Sequence, residues 1–229
     1  MRNILLIARR ELRAYFATPV AGTMLALSGL LFALLFVPGD QRSVAVPFSF
    51  LTSFRPSPDV SPAPVLLAAA IARLVLLVIV PLIAARTFVE EKQSHTIELL
   101  FTSPAAELEI VLGKWLGATG LFLIILALSP AGLALVSPLR VVDWRAAAAT
   151  YPALLLPACG LLAIGECLSM STRHQTVAAA GSIVISFAIL HYLQDGVLRP
   201  TDYLFCTALL LAGWLLTLRA IRAQRSQPI

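Results

Sequence analysis

The chain has 229 residues, of which 59% are hydrophobic and 13% charged, with a mean hydropathy of +0.89 and a net charge of +5. Soluble domains are roughly half apolar and a quarter charged. A soluble fold of this length also leaves too much surface outside its core to hide so many apolar side chains. The composition therefore excludes an ordinary soluble protein and predicts an integral membrane protein.

Residues 1–18 form the first predicted element, an amphipathic helix. Arg2, Arg9 and Arg13 share its polar face, whereas its apolar face carries Ile4, Leu5, Ala8, Leu12, Tyr15 and Phe16. A basic side opposite an apolar side with aromatic residues is typical of a helix that lies in the membrane interface. Pro19 then ends the helix. The alternative is a signal peptide, but the arginines are spread along the segment and a nearly membrane-spanning apolar run follows them.

Six apolar stretches follow, each close to the ~20 residues that a helix needs to cross the hydrocarbon core. They lie at residues 20–37, 64–85, 116–136, 146–170, 176–191 and 203–218. They lack the two-residue alternation of transmembrane strands. We therefore predict an all-α polytopic protein, in which residues 19–229 form one six-helix membrane domain.

The basic residues predict the orientation of these spans. With both termini in the cytoplasm, the inner segments hold Arg2, Arg9, Arg10, Arg13, Arg86, Lys92, Lys114, Arg173, Arg219, Arg222 and Arg225. The outer segments then hold only Arg42, Arg55, Arg140, Arg145 and Arg199. This distribution follows the positive-inside rule. Topology and attraction to anionic membrane lipid account for the positive charge, which therefore does not indicate nucleic-acid binding.

One long cytoplasmic connection, residues 86–114, is the most informative segment of the chain. It begins polar and predicts a short amphipathic helix from Thr96, a break at Pro104 and a second helix that starts near Glu107. Proline and acidic residues are favoured at a helix start, where the backbone N–H groups are free. A short helix with acids on one side and bulky apolar groups on the other suits docking into a groove of another protein. The alternative is a loop that is solvated or bound to lipid headgroups.

These residues resemble a known family. Arg86-x-x-x-Glu90-Glu91-Lys92 is followed by Thr96-Ile97-Glu98-Leu99-Leu100-x-Thr102-x-Pro104 and by Ile110-Val111-x-Gly113-Lys114. This pattern resembles the cytoplasmic loop of ABC-2 type permeases, and Ala8-Arg9-Arg10-Glu11-Leu12-Arg13-Ala14-Tyr15-Phe16 resembles their N-terminal elbow helix. Within this family, the chain resembles the short permeases associated with gliding motility and nitrous-oxide reductase maturation. One position departs from the family, since His95 stands where it usually carries glycine.

The resemblance implies a half-transporter in the inner membrane of a bacterium. Two copies of the permease pair as a homodimer, and each seats its loop on a separate ATPase subunit that binds ATP and magnesium. Export is the family's usual direction, and a further accessory or periplasmic component is compatible with it. The residues implied in coupling to the ATPase are Glu90, Glu91, Thr96, Glu98 and Leu99. The residues implied in the elbow along the inner leaflet are Arg9, Arg10, Glu11, Arg13, Tyr15 and Phe16.

The sequence carries no nucleotide site or catalytic constellation of its own. A P-loop needs G-x-x-x-x-G-K-[ST], but Gly113-Lys114 is followed by Trp115 and preceded five positions earlier by Leu108. His95, His174 and His191 are scattered, and no metal-ligand spacing occurs. We therefore expect no enzymatic activity and no cofactor in this chain, with the ATPase in a partner subunit.

Arg73 and Glu166 are the charged residues inside predicted spans, and charges at such positions are candidates for function. Arg73 either lines a substrate pathway or makes a structural contact with carbonyl groups or a second protomer. Glu166 also either lines a substrate pathway or has a structural role, in which its side chain can reach towards the cytoplasmic interface. We expect the two not to pair, because their predicted depths differ by about 14 Å at 1.5 Å per residue.

Two other functional classes remain open at this stage. An ion-coupled secondary transporter or channel predicts internal repeats and several midplane carboxylates, and neither is evident. A structural membrane subunit would recruit partners through the loop without transport. The transported substrate is not specified by the sequence.

Overall fold

A computed structural model describes residues 2–36, 75–94, 96, 106–136, 144–192 and 200–225. The described chain is helical and contains no strand, which confirms the all-α class. A π-helical segment at Val75–Ile79 leads into the third helix. The α-helices in this part of the chain are α1 (Arg2–Ala17), α2 (Pro19–Phe36), α3 (Val80–Gln93), α4 (Glu107–Val136), α5 (Trp144–Ser171), α6 (Gln175–Tyr192) and α7 (Pro200–Arg225).

Three of the described helices contain segments that are long and apolar enough to cross a membrane: Glu107–Ala127, Leu154–Ser171 and Thr201–Gln224. They confirm the membrane character of the third, fourth and sixth predicted spans. The apolar segment Gln175–His191 is shorter, and α2 coincides with the first predicted span. The count of six spans stays a prediction, because residues 37–74 lie outside the described residues.

The junction between α1 and α2 follows from the chemistry of proline. Pro19 has no N–H group to donate to the carbonyl oxygen of Tyr15. The hydroxyl group of Thr18 donates to that oxygen instead, at 3.2 Å. The first helix therefore ends where Pro19 predicts, and the residues expected to form the elbow are helical.

The fifth helix is the centre of the described bundle, since α5 packs against α3, α4, α6 and α7, whereas α1 packs mainly on α4. The main apolar core includes Ile79, Leu121 and Leu162. The close approach of α7 to α5 depends on small residues, as is common between membrane helices. A Cβ atom added at Gly213 on α7 would lie 2.7 Å from the carbonyl carbon of Ala163 on α5.

We name the end of the bundle that carries the connection between α3 and α4 the loop end. Here the buried side chain of Ser169, on α5, contacts the backbone of α3. Its hydroxyl oxygen accepts hydrogen bonds from the N–H groups of Phe88 (3.0 Å) and Val89 (3.1 Å) and donates to the carbonyl oxygen of Ala85 (3.0 Å). The last turns of α3 are thereby fixed to α5.

The end of α3 is joined to the end of α5 by two further side chains. The ammonium group of Lys92 donates to the carbonyl oxygens of Met170 and Thr172. A cation in this position satisfies carbonyl groups that a helix C-terminus leaves free. Gln224 on α7 also donates to the Met170 oxygen, at 3.1 Å. Helices α3, α5 and α7 are therefore linked at the loop end.

Ser169→Ala is expected to lower the free energy of unfolding by about 1–3 kcal/mol, because it removes the buried hydrogen bonds that join α5 to the backbone of α3. Denaturant unfolding of the purified chain measures this loss. Ser171→Ala is the matched control, since Ser171 is exposed and its hydroxyl donates to the carbonyl oxygen of Cys167 within α5. Equal stability of the two variants would contradict the role assigned to Ser169.

Candidate functional site

Lys114 lies on α4 near the loop end, and its side chain is 1% exposed. The ammonium group contacts Oε1 of Glu91 at 2.9 Å and Oε1 of Glu11 at 3.1 Å, and it donates to the carbonyl oxygen of Thr87 at 2.9 Å. An ammonium group has three N–H donors, and these three oxygens provide one acceptor for each donor. The ring of Phe88 lies 5.0 Å from the nitrogen and adds a cation–π contact. Lys114 is therefore a fully satisfied buried cation.

We define the ion cluster as Arg10, Glu11, Glu91 and Lys114. Nη2 of Arg10 lies 3.3 Å from Glu11 and 3.6 Å from Glu91. Arg10 is 63% exposed, so its pairs contribute little to stability. The two cations balance the two carboxylates, and Lys114 is the cation that holds them inside the protein. Because the four residues lie on α1, α3 and α4, the cluster joins these three helices.

Two glycines on α4 explain how α1 comes close enough to complete the cluster. Gly113 and Gly117 stand on either side of Lys114 in a G-x-x-x-G pattern. A Cβ atom at Gly113 would lie 2.7 Å from Cβ of Ile7, and one at Gly117 would lie 2.7 Å from Cβ of Glu11. Only hydrogen fits at these positions. The backbones of α1 and α4 therefore pack directly against each other, which brings the Glu11 carboxylate to Lys114.

A cleft of about 280 Å³ opens beside the ion cluster, between α1 and α3. Burial raises the pKa of Glu91 above its ordinary value, and the nearby Lys114 charge opposes this shift. Burial also raises the pKa of the Tyr15 hydroxyl, with a smaller contribution from the charge of Glu11. The lining residues are Arg10, Glu11, Ala14, Tyr15, Thr18, Arg86, Thr87, Glu90, Glu91 and Lys114.

The residues predicted to couple to an ATPase separate into two groups. Glu90 is 54% exposed and pairs with Arg86 at 3.0 Å, whereas Glu91 lies inside the ion cluster. Thr96 is exposed and not helical, and its N–H group donates to the carbonyl oxygen of Glu91 at 3.0 Å. Glu98 and Leu99, with most of the predicted short helix, lie outside the described residues. The predicted second helix does begin at Glu107.

The predicted elbow residues also divide between the interior and the surface of α1. Arg9 and Arg13 are exposed, and Phe16 is 50% exposed. Tyr15 is buried, and Arg10 and Glu11 belong to the ion cluster. The apolar face is therefore shared between contact with α4 and the outside of the bundle. That α1 lies in the membrane interface stays a prediction.

Of the two charged residues in the predicted spans, the structure describes only Glu166. Arg73 lies outside the described residues. Glu166 lies on α5 and is 0% exposed. Neither of its carboxylate oxygens has a hydrogen-bond partner among the described residues.

The sequence motifs do not identify Lys114 as the centre of the site. Gly113-Lys114 matches only a fragment of a P-loop and forms part of the family pattern. Two signals were present: a lysine at the edge of an apolar stretch, where an unpaired charge is costly, and flanking glycines in the spacing that favours close helix packing. Together they indicate a buried, paired lysine against another helix.

Fold and site together define a class of protein: a helical membrane protein whose N-terminal helix is joined by buried charges to the two helices that flank a loop. The family model described as ABC-2 family transporter protein matches residues 6–220, and the chain belongs to this family. The match extends from α1 into α7 and includes the entire ion cluster. No curated protein sequence matches the chain significantly. Membership confirms the predicted resemblance and indicates an ABC transporter permease, a class that generally works with an ABC ATPase.

Proposed function

We propose that the chain is the permease subunit of an ABC transporter, which couples ATP hydrolysis by a separate subunit to substrate export. Two copies form a homodimer in the inner membrane of a bacterium, with both termini in the cytoplasm. ATP and magnesium belong to the partner subunit. The observation that carries the proposal is the contact of Lys114 with α1 and α3, because it links the helices on both sides of the loop to the predicted elbow.

The ion cluster gives this proposal a mechanical basis. The loop leaves α3 after Gln93 and joins α4 at Glu107. Because Lys114 holds Glu91 of α3 and Glu11 of α1, an ATPase that moves the loop would move α1, α3 and α4 together. Ser169 of α5 bonds to the backbone of α3, and Lys92 of α3 bonds to the end of α5, so these contacts carry the movement on to α5. A displacement at the surface thereby reaches the centre of the bundle.

The loop itself is the proposed docking segment. The exposed Glu90 and Thr96 precede Glu98 and Leu99 in the sequence, which the family pattern assigns to the coupling region. Acidic and apolar groups on a short segment fit a groove with basic and apolar walls on the ATPase subunit. Glu91 acts differently, since it lies inside the ion cluster and orients α3 relative to α4.

The proposal predicts that the chain copurifies with an ATPase subunit and that the complex hydrolyses ATP in a vanadate-sensitive manner. We expect Glu98→Ala combined with Leu99→Ala to reduce the amount of bound ATPase about tenfold or more, as loss of central interface residues typically does. Asp202→Ala, an acid-to-alanine change at the start of α7, is the control and is expected to retain the ATPase.

Two other results would favour the alternative classes. A purified, active chain without any ATPase would favour a secondary transporter or channel. A complex that binds the ATPase, but whose hydrolysis rate is unchanged when the ion cluster is disrupted by Glu91→Gln, would favour a scaffold without transport. Either result would contradict the proposed coupling.

A further inference from the structure

Glu166 differs from the other buried carboxyl groups of the described chain. It lies near the C-terminal end of α5 with a side chain that is 0% exposed. Glu11 and Glu91 each contact the ammonium group of Lys114. Among the described residues, Glu166 is the carboxyl group whose two oxygens are both buried and without a hydrogen-bond partner. A charge on this group would have no donor to stabilise it.

The surroundings of Glu166 restrict what could neutralise it. Each of its oxygens exposes less than 1 Å², so neither a water molecule nor a metal ion can reach them without rearrangement. No group of three His, Cys, Asp or Glu side chains in the described ranges could hold a metal ion. Proteins generally avoid an unpaired buried charge by neutralising the group. A proton needs no additional space and is the ligand that this site accommodates.

The charged and titratable groups that act on Glu166 come from α4 and α1. They are Lys114 on α4 and Glu11 and Tyr15 on α1. Lys114 cannot donate to Glu166 in this arrangement, since its three N–H groups are directed to Glu91, Glu11 and the carbonyl oxygen of Thr87. The cation that could pair with Glu166 is therefore already used by the ion cluster.

We propose that Glu166 is a proton-binding site, occupied in the conformation described above. The reaction is the addition of one proton from water to the carboxylate, which gives the neutral acid and needs no other reactant. The neutral acid leaves Lys114 on Glu11 and Glu91. An ionised Glu166 would compete for the same ammonium group, so loss of the proton favours movement of Lys114 towards α5 and weakens the link between α1 and α3.

Infrared spectroscopy of the purified chain in a detergent without ester groups tests the proposal directly and requires no ATPase. At neutral pH we expect a carbonyl stretching band of a buried carboxylic acid, which is lost in Glu166→Gln. Glu90→Gln is the control and is expected to keep the band, because Glu90 is 54% exposed. Absence of the band from the unmodified chain, or its survival in Glu166→Gln, would overturn the proposal.

Thermal unfolding gives a second, independent measurement. Glutamine has the size of a neutral glutamic acid, so Glu166→Gln is expected to shift the Tm by less than about 2 °C. If Glu166 were instead an ionised partner of a buried cation, the substitution would leave that cation unpaired. A large fall in Tm, or failure of Glu166→Gln to fold, would therefore count against a bound proton. Because neither measurement involves ATP hydrolysis, both remain valid if the proposed transport function is wrong.

Discussion

Lys114→Met is expected to lower the free energy of unfolding by about 3–5 kcal/mol, the loss typical of breaking a buried ion pair from one side. Methionine keeps the unbranched apolar stem of lysine but leaves Glu11 and Glu91, which are 14% and 17% exposed, without a buried cation. Arg10 cannot replace Lys114, because it is 63% exposed and makes longer contacts. Denaturant unfolding in detergent micelles at neutral pH measures the loss.

The loss in Lys114→Met should also depend on pH. Burial raises the pKa of Glu91, and removal of the Lys114 charge takes away the main opposing influence. A carboxyl group whose pKa is raised in the folded state favours folding when it is protonated, and this contribution is lost as the pH rises through the folded-state pKa. The defect of Lys114→Met should therefore shrink as the pH falls from neutral towards the ordinary pKa of glutamate.

Two further variants identify the cause of that loss. Arg219→Met removes an exposed cation of α7 and should change stability by less than about 0.5 kcal/mol. Adding Glu91→Gln to Lys114→Met removes one of the stranded carboxylates, so the double variant should be less destabilised than the sum of the two single variants. If the losses of the two single variants simply added, or if Lys114→Met and Arg219→Met were equally stable, the contacts of Lys114 would contribute nothing to the free energy of unfolding.

Gly117→Leu is expected to separate α1 from α4. The added Cβ atom alone would lie 2.7 Å from Cβ of Glu11 and 3.3 Å from the carbonyl oxygen of Ala8. Since one of these contacts is with backbone, a change of side-chain rotamer cannot relieve it. Overpacking of this kind typically costs about 1–3 kcal/mol, and here it also moves Glu11 away from Lys114. Faster tryptic cleavage at Arg9 and Arg13 would report the release of α1.

Gly22→Ala is the control for this substitution. Gly22 lies on α2, and no described atom beyond the neighbouring part of its own helix comes within 4 Å of the position that its Cβ would occupy. Alanine in the middle of a helix is more stable than glycine by roughly 0.5–1 kcal/mol, so this variant should be neutral or slightly stabilised. Unchanged tryptic cleavage of α1 in Gly117→Leu would mean that close packing at Gly117 does not hold α1.

The features that sequence predicted correctly are determined by a few neighbouring residues. Pro19 ends α1 because it lacks an N–H group, and its effect acts on the preceding turn alone. The start of α4 at Glu107 follows from the acidic residues of its first turn, which favour the positive end of a helix. The apolar stretches predict membrane helices for the same reason, because the length and composition of each stretch are sufficient to identify it as a candidate span.

The ion cluster could not be predicted in this way, because its members are distant in sequence. Lys114 and Glu11 are 103 positions apart, and their meeting depends on how closely α4 and α1 pack. The family pattern assigns Glu90 and Glu91 alike to the coupling region, yet Glu90 is exposed and Glu91 is largely buried in the folded chain. The helices that pack against α3 determine which of its sides is buried. The sequence of α3 alone does not specify those helices.

The contacts of Ser169 illustrate the same limit. A serine within an apolar stretch usually bonds to its own helix, and nothing in the sequence of α5 indicates a bond to α3. The structure shows that its hydroxyl group contacts three backbone groups of α3. The local pattern specifies a helix, whereas the partner of the serine depends on the packing of α5 against α3.

Cross-linking from the loop in intact membranes is the most direct test of the proposed function. A single cysteine introduced as Thr96→Cys, with the three native cysteines replaced by alanine, places a reactive thiol at an exposed position next to α3. We expect this thiol to capture a nucleotide-hydrolysing subunit and to resist a membrane-impermeant reagent applied from outside. Labelling from outside, with no such subunit captured, would contradict a permease that is driven from the cytoplasm.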